Sequence, residues 1–198
     1  VGSLIYYKEE SLNKLKINDD CVKCGMCVKM CPMENLSMTD GKPVAMVHCN
    51  NCCTDLDYWV NLFAEFDKAN GNDTPKYKIY DMLYELALTG DSDCGGVVNF
   101  NYFSGEPVTG LEEGRPLIVR NPDSALSFEN FARTSLMSAV ASLKIGMDIL
   151  KEENVKVDKM TGHGGYFKTP VAGQTIMASA LEAPITVMET AGEGGAWG

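Results

Sequence analysis

The sequence lacks any apolar run long enough to cross a membrane, and it is poor in basic side chains. Its 17 Lys and Arg residues against 27 Asp and Glu residues give a formal net charge of −10. Phosphates of nucleic acids and anionic membrane surfaces repel such an acidic chain, so neither is expected as a partner. The first residues also lack the basic stretch and apolar run of a secretion signal, and we therefore expect a cytoplasmic location.

Cysteine, by contrast, is plentiful, with eight residues in a chain of 198. Four of them form a short run that ends in proline: Cys21, Cys24, Cys27 and Cys31. Thiolate is the soft ligand that iron–sulfur clusters need, and this spacing is that of a bacterial ferredoxin loop. We predict that these four cysteines are metal ligands, with a 4Fe-4S cluster as the favoured group. A structural zinc ion and a motif without metal remain the alternatives.

The fourth ligand of the cluster is left open by the rest of the sequence. In two-cluster ferredoxins the fourth cysteine of one motif ligates the other cluster, so a second motif is expected downstream. Cys49 and Cys52 begin like one, but Asp55 and Trp59 occupy the next two ligand positions. We interpret Cys49 and Cys52 as part of the second half of the chain, and we expect Cys52, Cys53 and Cys94 to be small, half-buried packing residues.

The first part of the chain resembles a bacterial-type ferredoxin module over residues 1–42. The resemblance rests on the cysteine run and on a predicted hairpin, in which Leu36–Met38 and Pro43–Val47 are joined through Asp40-Gly41. Such modules pass single electrons, so the resemblance implies a redox partner.

Helical and strand patterns alternate in the longer second part. Thr54 or Asp55 is expected to cap a helix that buries Leu56, Trp59, Val60, Phe63 and Phe66, and a second helix is expected to end at Gly90. Strands at 97–103 and 117–120 precede the longest predicted helix, at 128–152. A strand at 156–161, a helix that ends before Pro184 and a strand at 185–188 predict a βαβ tail.

Two glycine-rich turns follow the last two predicted strands. The first contains Gly162, His163, Gly164 and Gly165, and the second contains Gly192 and Gly195. Glycines between a strand and a helix let the backbone approach a phosphate closely, and a helix N-terminus favours the negative charge. Two such turns in succession predict a nucleotide held between them. We interpret His163 as an exposed turn residue.

These motifs together resemble those of the FGGY family of carbohydrate kinases, of the xylulokinase-like sort. Tyr102–Glu106 resembles the family's Tyr-Leu-Ser-Gly-Glu-Arg loop, with Pro107 in place of the arginine. The long helix matches the one that follows that loop. Gly164-Gly165, Lys168-Thr169 and Gln174 resemble the nucleotide turn, and 189–198 resembles the last glycine turn near adenosine.

The resemblance implies that residues 43–198 form a truncated C-terminal domain with an α/β, ribonuclease H-like (actin-like ATPase) fold. It implies binding of ATP with Mg²⁺ by a set of seven residues: Gly162, Gly164, Gly165, Lys168, Gln174, Gly192 and Gly195. In that family the N-terminal half supplies the sugar pocket and the catalytic base. We therefore assign no catalytic residue here and expect no phosphate transfer to a pentulose-type sugar by this chain alone.

Two other readings stay open at the level of sequence. In one, the chain is a 4Fe-4S electron carrier whose larger part serves as scaffold. In the other, it is a fusion or fragment without activity of its own.

Overall fold

The computed structural model of the protein describes residues 2–6, 36–39, 42–152, 154–169 and 171–187. The four predicted cluster ligands, a strand predicted at 14–18 and the second glycine turn lie outside the described residues. No helix in the described ranges is long and apolar enough to cross a membrane.

The first sheet contains three antiparallel strands, β1 (Gly2–Tyr6), β2 (Leu36–Thr39) and β3 (Lys42–Cys49), in the order β1-β3-β2. The register from Leu36 opposite Ala45 to Thr39 opposite Lys42 confirms the predicted hairpin. Strand β3 is thus the central strand, and it crosses the boundary proposed between residues 42 and 43. The division into 1–42 and 43–198 stays a prediction.

Two helices follow, α1 (Thr54–Ala69) and α2 (Lys76–Thr89). The prediction that Thr54 or Asp55 caps α1 is wrong, because the N-cap residue is Cys53, whose side chain makes no capping hydrogen bond. Asp55 instead turns inward from the first turn. Its carboxylate accepts hydrogen bonds from Trp59 Nε1 at 3.2 Å and from Asn99 Nδ2 at 3.0 Å.

Phe66 does not share the buried face of α1. Its side chain is 70% exposed, whereas Leu56 and Val60 are buried. At about 100° per residue, Phe66 lies about 80° from Leu56 around the helix, at the margin of the apolar stripe. The sequence pattern therefore placed one residue too many in the core.

A second, two-stranded sheet precedes the longest helix. β4 (Val97–Phe100) pairs antiparallel with β5 (Leu117–Arg120). β4 ends three residues earlier than predicted, where its partner strand β5 begins after Pro116, a residue without an N–H to donate. The side-chain amide of Asn101 donates to the carbonyl of Cys52 at 2.7 Å. α3 (Phe128–Glu152) has the predicted bounds.

The tail forms the expected βαβ unit. β6 (Met160–Gly162) pairs in parallel with β7 (Ile185–Val187), and α4 (Ala172–Leu181) connects them. β6 is shorter than the strand predicted at 156–161. Residues before Met160 have no strand partner there, and the side chain of Lys156 is 86% exposed in an ion pair with Asp158.

One hydrophobic core joins these helices to the end of β3 and to the βαβ unit. α3 lies across its middle and packs against α2, α4, β3 and β4. Its largest fully buried members are Leu56, Val60, Leu83, Leu136, Val140, Ile176 and Leu181. Met177 is buried with them, and Met137 and Met147 pack at the edge, as their helical spacing predicted.

Truncation of a core side chain and of Phe66 should differ sharply. We expect Leu136→Ala to lower the free energy of unfolding by about 2–5 kcal/mol, because it leaves a cavity in the hydrophobic core beside α3. Phe66→Ala should change it by about 0.5 kcal/mol or less, because the ring is largely in solvent. Urea denaturation of both variants measures this, and a large loss for Phe66→Ala would contradict the assigned face of α1.

Candidate nucleotide site

The first glycine turn follows directly from β6. Gly162 is buried, and a Cβ atom added to it would lie 2.2 Å from Cζ of Phe167, so close packing requires glycine there. Gly164 has φ 101° and ψ −176°, a combination that only glycine adopts readily. A single 3-10 turn, Gly165–Phe167, comes next. The glycines at 162 and 164 therefore shape the turn itself.

The outer side of this turn is bare backbone. A Cβ atom added to Gly164 or to Gly165 would meet nothing within 4 Å. Lys168 closes the 3-10 turn and is exposed, and His163 is exposed as predicted. An accessible backbone beside an ammonium group is suited to bind an anion such as a phosphate.

The expected helix N-terminus does not lie beside the glycines. The 3-10 turn intervenes, and α4 begins only at Ala172. That prediction of the sequence is therefore corrected: the backbone of the turn and Lys168, rather than a helix dipole, are the groups available to a phosphate. The residue that precedes α4 is Val171, whose backbone φ of 68° is unusual for a β-branched residue.

Buried aromatic side chains anchor the turn from below. Tyr166 donates its hydroxyl hydrogen bond to the carbonyl oxygen of Leu136 in α3 at 2.9 Å, and burial raises the pKa of Tyr166 well above its usual value. Thr169 donates to Oδ1 of Asp81 in α2 at 2.8 Å. These contacts fix the glycine turn to two helices of the core.

Gln174 makes a contact within the protein rather than facing the glycine turn. Its Nε2 donates to the carbonyl oxygen of Ile185 at 2.6 Å and so ties α4 to β7. The same side chain borders a shallow surface groove along α4 with Ala178, Ser179 and Glu182. Its role toward a nucleotide stays a prediction, and Gly192 and Gly195 lie outside the described residues.

The loop predicted from the kinase resemblance, Tyr102–Glu106, is held by a buried carboxylate. Glu106 is 1% exposed, and its two oxygens accept hydrogen bonds from the backbone N–H of Asn50 at 3.1 and 3.2 Å. Asn51 Nδ2 donates to Glu106 at 3.1 Å, and Asn51 Oδ1 accepts from the backbone N–H of Ser104 at 2.7 Å. The loop is thus clamped to the turn after β3.

Sequence reasoning found the loop but missed its partners. Asn50 and Asn51 stand at the end of β3, where adjacent asparagines are typical of a turn whose side chains bond to backbone. That signal was present, but it does not say which distant loop the side chains reach. Because Glu106 is enclosed by donors, its carboxylate positions the loop and is not available to a ligand.

The described residues do not form a ready-made metal cage. No group of three or more His, Cys, Asp or Glu side chains in the described ranges could hold a metal ion. Mg²⁺ in nucleotide enzymes is held by one or two carboxylates together with the phosphates, so this finding is compatible with Mg²⁺ that arrives with ATP. It leaves the iron–sulfur prediction at Cys21–Cys31 untouched.

Comparison with known protein families identifies the class of the molecule. The model of the FGGY family of carbohydrate kinases, C-terminal domain, matches residues 30–198. A 4Fe-4S binding domain model matches residues 15–37. The chain therefore belongs to the FGGY family of carbohydrate kinases, as its C-terminal domain. A search of curated proteins found no match.

Solved structures show the same fold. The ligand-bound xylulose kinase from Lactobacillus acidophilus matches with a TM-score of 0.61 and 15% identity, over 82% of this chain and 31% of that chain. The xylulose kinase from Bifidobacterium adolescentis matches with 0.58 and 20%, over 80% and 29%. The gluconate kinase from Lactobacillus acidophilus matches with 0.58 and 17%, over 82% and 32%.

These likenesses confirm the predicted fold class, the α/β, actin-like fold of the C-terminal lobe. The chain spans only about a third of the length of the kinases that it matches, with 29% to 32% covered in these three. At such low identity the structural comparison shows the fold alone.

The Glu106 clamp gives a second prediction. Glu106→Gln keeps the size of the side chain, but replaces one accepting oxygen by a donor that faces the N–H groups of Asn50 and Asn51. We expect the free energy of unfolding to fall by about 1–3 kcal/mol, because a charged acceptor is lost and a buried donor is left unpaired. The exposed Glu113→Gln is the matched control and should change stability little. Equal stability of the two variants would show that the clamp is not needed.

Proposed function

We propose that this chain is the ATP-binding domain of a pentulose-type carbohydrate kinase, and that it transfers phosphate to a sugar hydroxyl only together with an N-terminal half. The observation that carries the proposal is the family match over residues 30–198 combined with the open glycine turn at Gly164-Gly165. The pentulose part of the proposal rests on the xylulokinase-like motifs of the sequence at Tyr102–Glu106 and at Gly164-Gly165.

The turn supports the nucleotide part of the proposal. Phosphate groups bind where backbone comes close without side chains in the way, and a nearby ammonium group adds charge neutralisation. Gly164 and Gly165 provide the bare backbone, and Lys168 provides the charge. The anchoring of Tyr166 to α3 holds this turn in a fixed place, which lowers the cost of ordering it on binding.

Phosphoryl transfer needs more than a nucleotide site. It depends on alignment of the acceptor hydroxyl with the transferred phosphate and on neutralisation of charge at both oxygens. We propose that the partner half supplies the sugar pocket and the general base, and that closure of the two halves brings the reactants together. No residue among those described is assigned to the chemical step.

Nucleotide binding can be tested at Gly165, the glycine of the first glycine turn at which a side chain is tolerated. Gly165 has no left-handed φ, and a Cβ atom there meets nothing within 4 Å, so Gly165→Val should fold normally. It would, however, place methyl groups where a phosphate approaches. We expect calorimetry with ATP and Mg²⁺ to show binding to the unchanged chain and at least tenfold weaker binding to Gly165→Val.

Lys168→Met tests the charge separately. Loss of one charge-assisted contact should weaken binding about tenfold, which corresponds to about 1.4 kcal/mol. Lys159→Met, which removes an exposed lysine before β6, is the matched control and should bind ATP as the unchanged chain does. Flat calorimetry with the folded, unchanged chain would refute nucleotide binding.

A second function is favoured by the separate match to a 4Fe-4S binding domain at residues 15–37. In this proposal Cys21, Cys24, Cys27 and Cys31 hold a cluster that passes single electrons to a redox partner. The two functions do not exclude each other, because the cysteine run and the first glycine turn lie in different parts of the sequence.

Anaerobic purification tests the cluster directly. We expect a brown protein with about four iron atoms per chain and broad visible absorbance that dithionite bleaches. Cys24→Ser should lose most of the iron, whereas Cys94→Ser, outside the run, should retain it. A colourless protein with about one zinc ion per chain would establish the structural alternative instead. Protein with neither metal nor nucleotide binding would support an inactive fusion or fragment.

A further inference from the structure

The turn between β3 and α1 brings two thiols together that the proposed functions do not use. Cys52 and Cys53 are adjacent in sequence, and their sulfur atoms lie 3.8 Å apart. Both side chains are half-buried. Cys52 has φ 32°, an unusual backbone conformation for a residue with a side chain. The sequence alone favoured a packing role for this pair, because adjacent cysteines need not face the same side.

The separation of the two sulfurs is that of a chelate. Two thiolates bound at about 2.3 Å to one tetrahedral ion lie about 3.8 Å from each other. The pair therefore has the spacing of two ligands on one soft centre before any ligand is present. Because the residues sit next to each other on one fixed turn, little conformational entropy is lost when both sulfurs bind.

The surroundings favour one thiolate in the pair. The hydrogen bond from Cys52 lowers the pKa of Cys53, and the Tyr84 phenol adds to this effect against burial. Cys49 lowers the pKa of Cys52, but the hydrogen bond to Cys53 and burial outweigh it and raise that pKa to about 12. Cys53 is also the N-cap residue of the 16-residue helix α1, where a negative charge is stabilised.

The clamp on the neighbouring loop holds this turn in place. The carbonyl of Cys52 accepts a hydrogen bond from Asn101 at 2.7 Å, and the two preceding asparagines are bonded to the loop at Glu106. The thiol pair thus sits on a rigid, half-accessible support rather than on a mobile segment. Cys94, in contrast, is a single buried thiol elsewhere on the chain and serves as an internal comparison.

We propose that Cys52 and Cys53 form a dithiol site that binds a soft, thiophilic ion through two sulfur atoms. No group of three or more His, Cys, Asp or Glu side chains among the described residues could hold a metal ion, and the adjacent Cys49 thiol donates to the carbonyl oxygen of Ala139 at 3.5 Å, so the site suits a centre that needs two protein sulfurs. Phenylarsine oxide is such a probe. Each thiol gives up one proton, two arsenic–sulfur bonds replace the arsenic–oxygen bond, and one water molecule leaves, with no change in oxidation state. This site is independent of ATP and of an iron–sulfur cluster.

A position-resolved protection experiment on the full chain separates this pair from the cysteine run at 21–31, which also binds soft centres. The reduced, folded protein is incubated with phenylarsine oxide and then alkylated with light iodoacetamide. A competing dithiol, 2,3-dimercaptopropanol, next removes the arsenical, and heavy iodoacetamide labels the released thiols. Peptide mass spectrometry then reports the light-to-heavy ratio at each cysteine.

We expect the arsenical to suppress light alkylation of both Cys52 and Cys53 at least tenfold, and both thiols to take up the heavy label once the competing dithiol has removed the arsenical. Alkylation of Cys94 should not change. In Cys53→Ser, protection of Cys52 should be lost, because a single arsenic–sulfur bond is hydrolysed back to the free thiol during the alkylation, whereas a two-sulfur chelate is retained. Cys94→Ser is the matched control and should keep the protection at both positions.

Three results would overturn the proposal. Equal alkylation of Cys52 and Cys53 with and without the arsenical in the unchanged chain would show that no chelate forms. Protection of Cys52 that persists in Cys53→Ser would show that the pair is not the site. Failure of both thiols to react with either reagent in the folded protein would show that the site is inaccessible. The first and third results need no variant, so they stand even where a substitution impairs folding.

Discussion

Burial of α3 is the interaction on which the other features of the structure depend. Its apolar side, with Leu136 and Val140 fully enclosed, is the surface against which α2, α4, β3 and β4 pack. A helix of this length gains most of its stability from such packing rather than from its own propensity. Removal of this contact would leave the three-stranded sheet and the β4–β5 sheet without a common support.

The helix also carries polar contacts that place the functional loops. Thr134 donates to the carbonyl oxygen of Val97 at 3.0 Å, and Ser138 Oγ accepts from Asn99 Nδ2 at 3.1 Å, so β4 is held at a fixed position on α3. The carbonyl of Leu136 accepts the Tyr166 hydroxyl and thereby fixes the glycine turn. Buried polar groups that are satisfied in this way specify a single arrangement, because a shift would leave them unpaired. The same helix therefore supports the core and orients the candidate site.

The sequence predicted the periodic elements well, because hydrophobic spacing reports directly on which face is buried. The bounds of α3, the hairpin β2–β3 and the βαβ tail follow from that signal. The predictions that failed concern side chains for which two conformations or environments are compatible with the local sequence. The side chain of Asp55 could cap α1 or turn inward. Its inward position depends on two donors, Trp59 on the next turn of the helix and Asn99 far away in the sequence. Phe66 lies at the margin of the apolar stripe, where burial depends on how far neighbouring elements extend.

At the candidate site, too, the sequence predicted backbone requirements better than the partners of individual side chains. The need for glycine at 162 and 164 could be anticipated from their place between a strand and a helix, and the structure gives each a separate steric reason. The partner of Gln174 could not be anticipated, since an amide can face a nucleotide or a strand carbonyl equally well. The sequence likewise did not predict that the sulfur atoms of Cys52 and Cys53 lie close together. Their mutual distance depends on the backbone of one turn, which sequence spacing does not reveal.

The hairpin β2–β3 lies where the match to the kinase family and the match to the 4Fe-4S binding domain meet in this chain. Domain boundaries fall where few contacts cross, yet β2 is paired with β3 from Leu36 opposite Ala45 to Thr39 opposite Lys42. The kinase family match begins at residue 30, within the cysteine run, and the 4Fe-4S match ends at residue 37, within β2. Separation at residue 42 would therefore remove the hydrogen-bonding partner of both β1 and β2 and expose both edges of β3, the strand that leads to Asn50, Asn51 and the thiol pair. Strands β1 and β2, which precede and follow the cysteine run in sequence, thus both pair with β3, the strand that leads into the larger part of the chain.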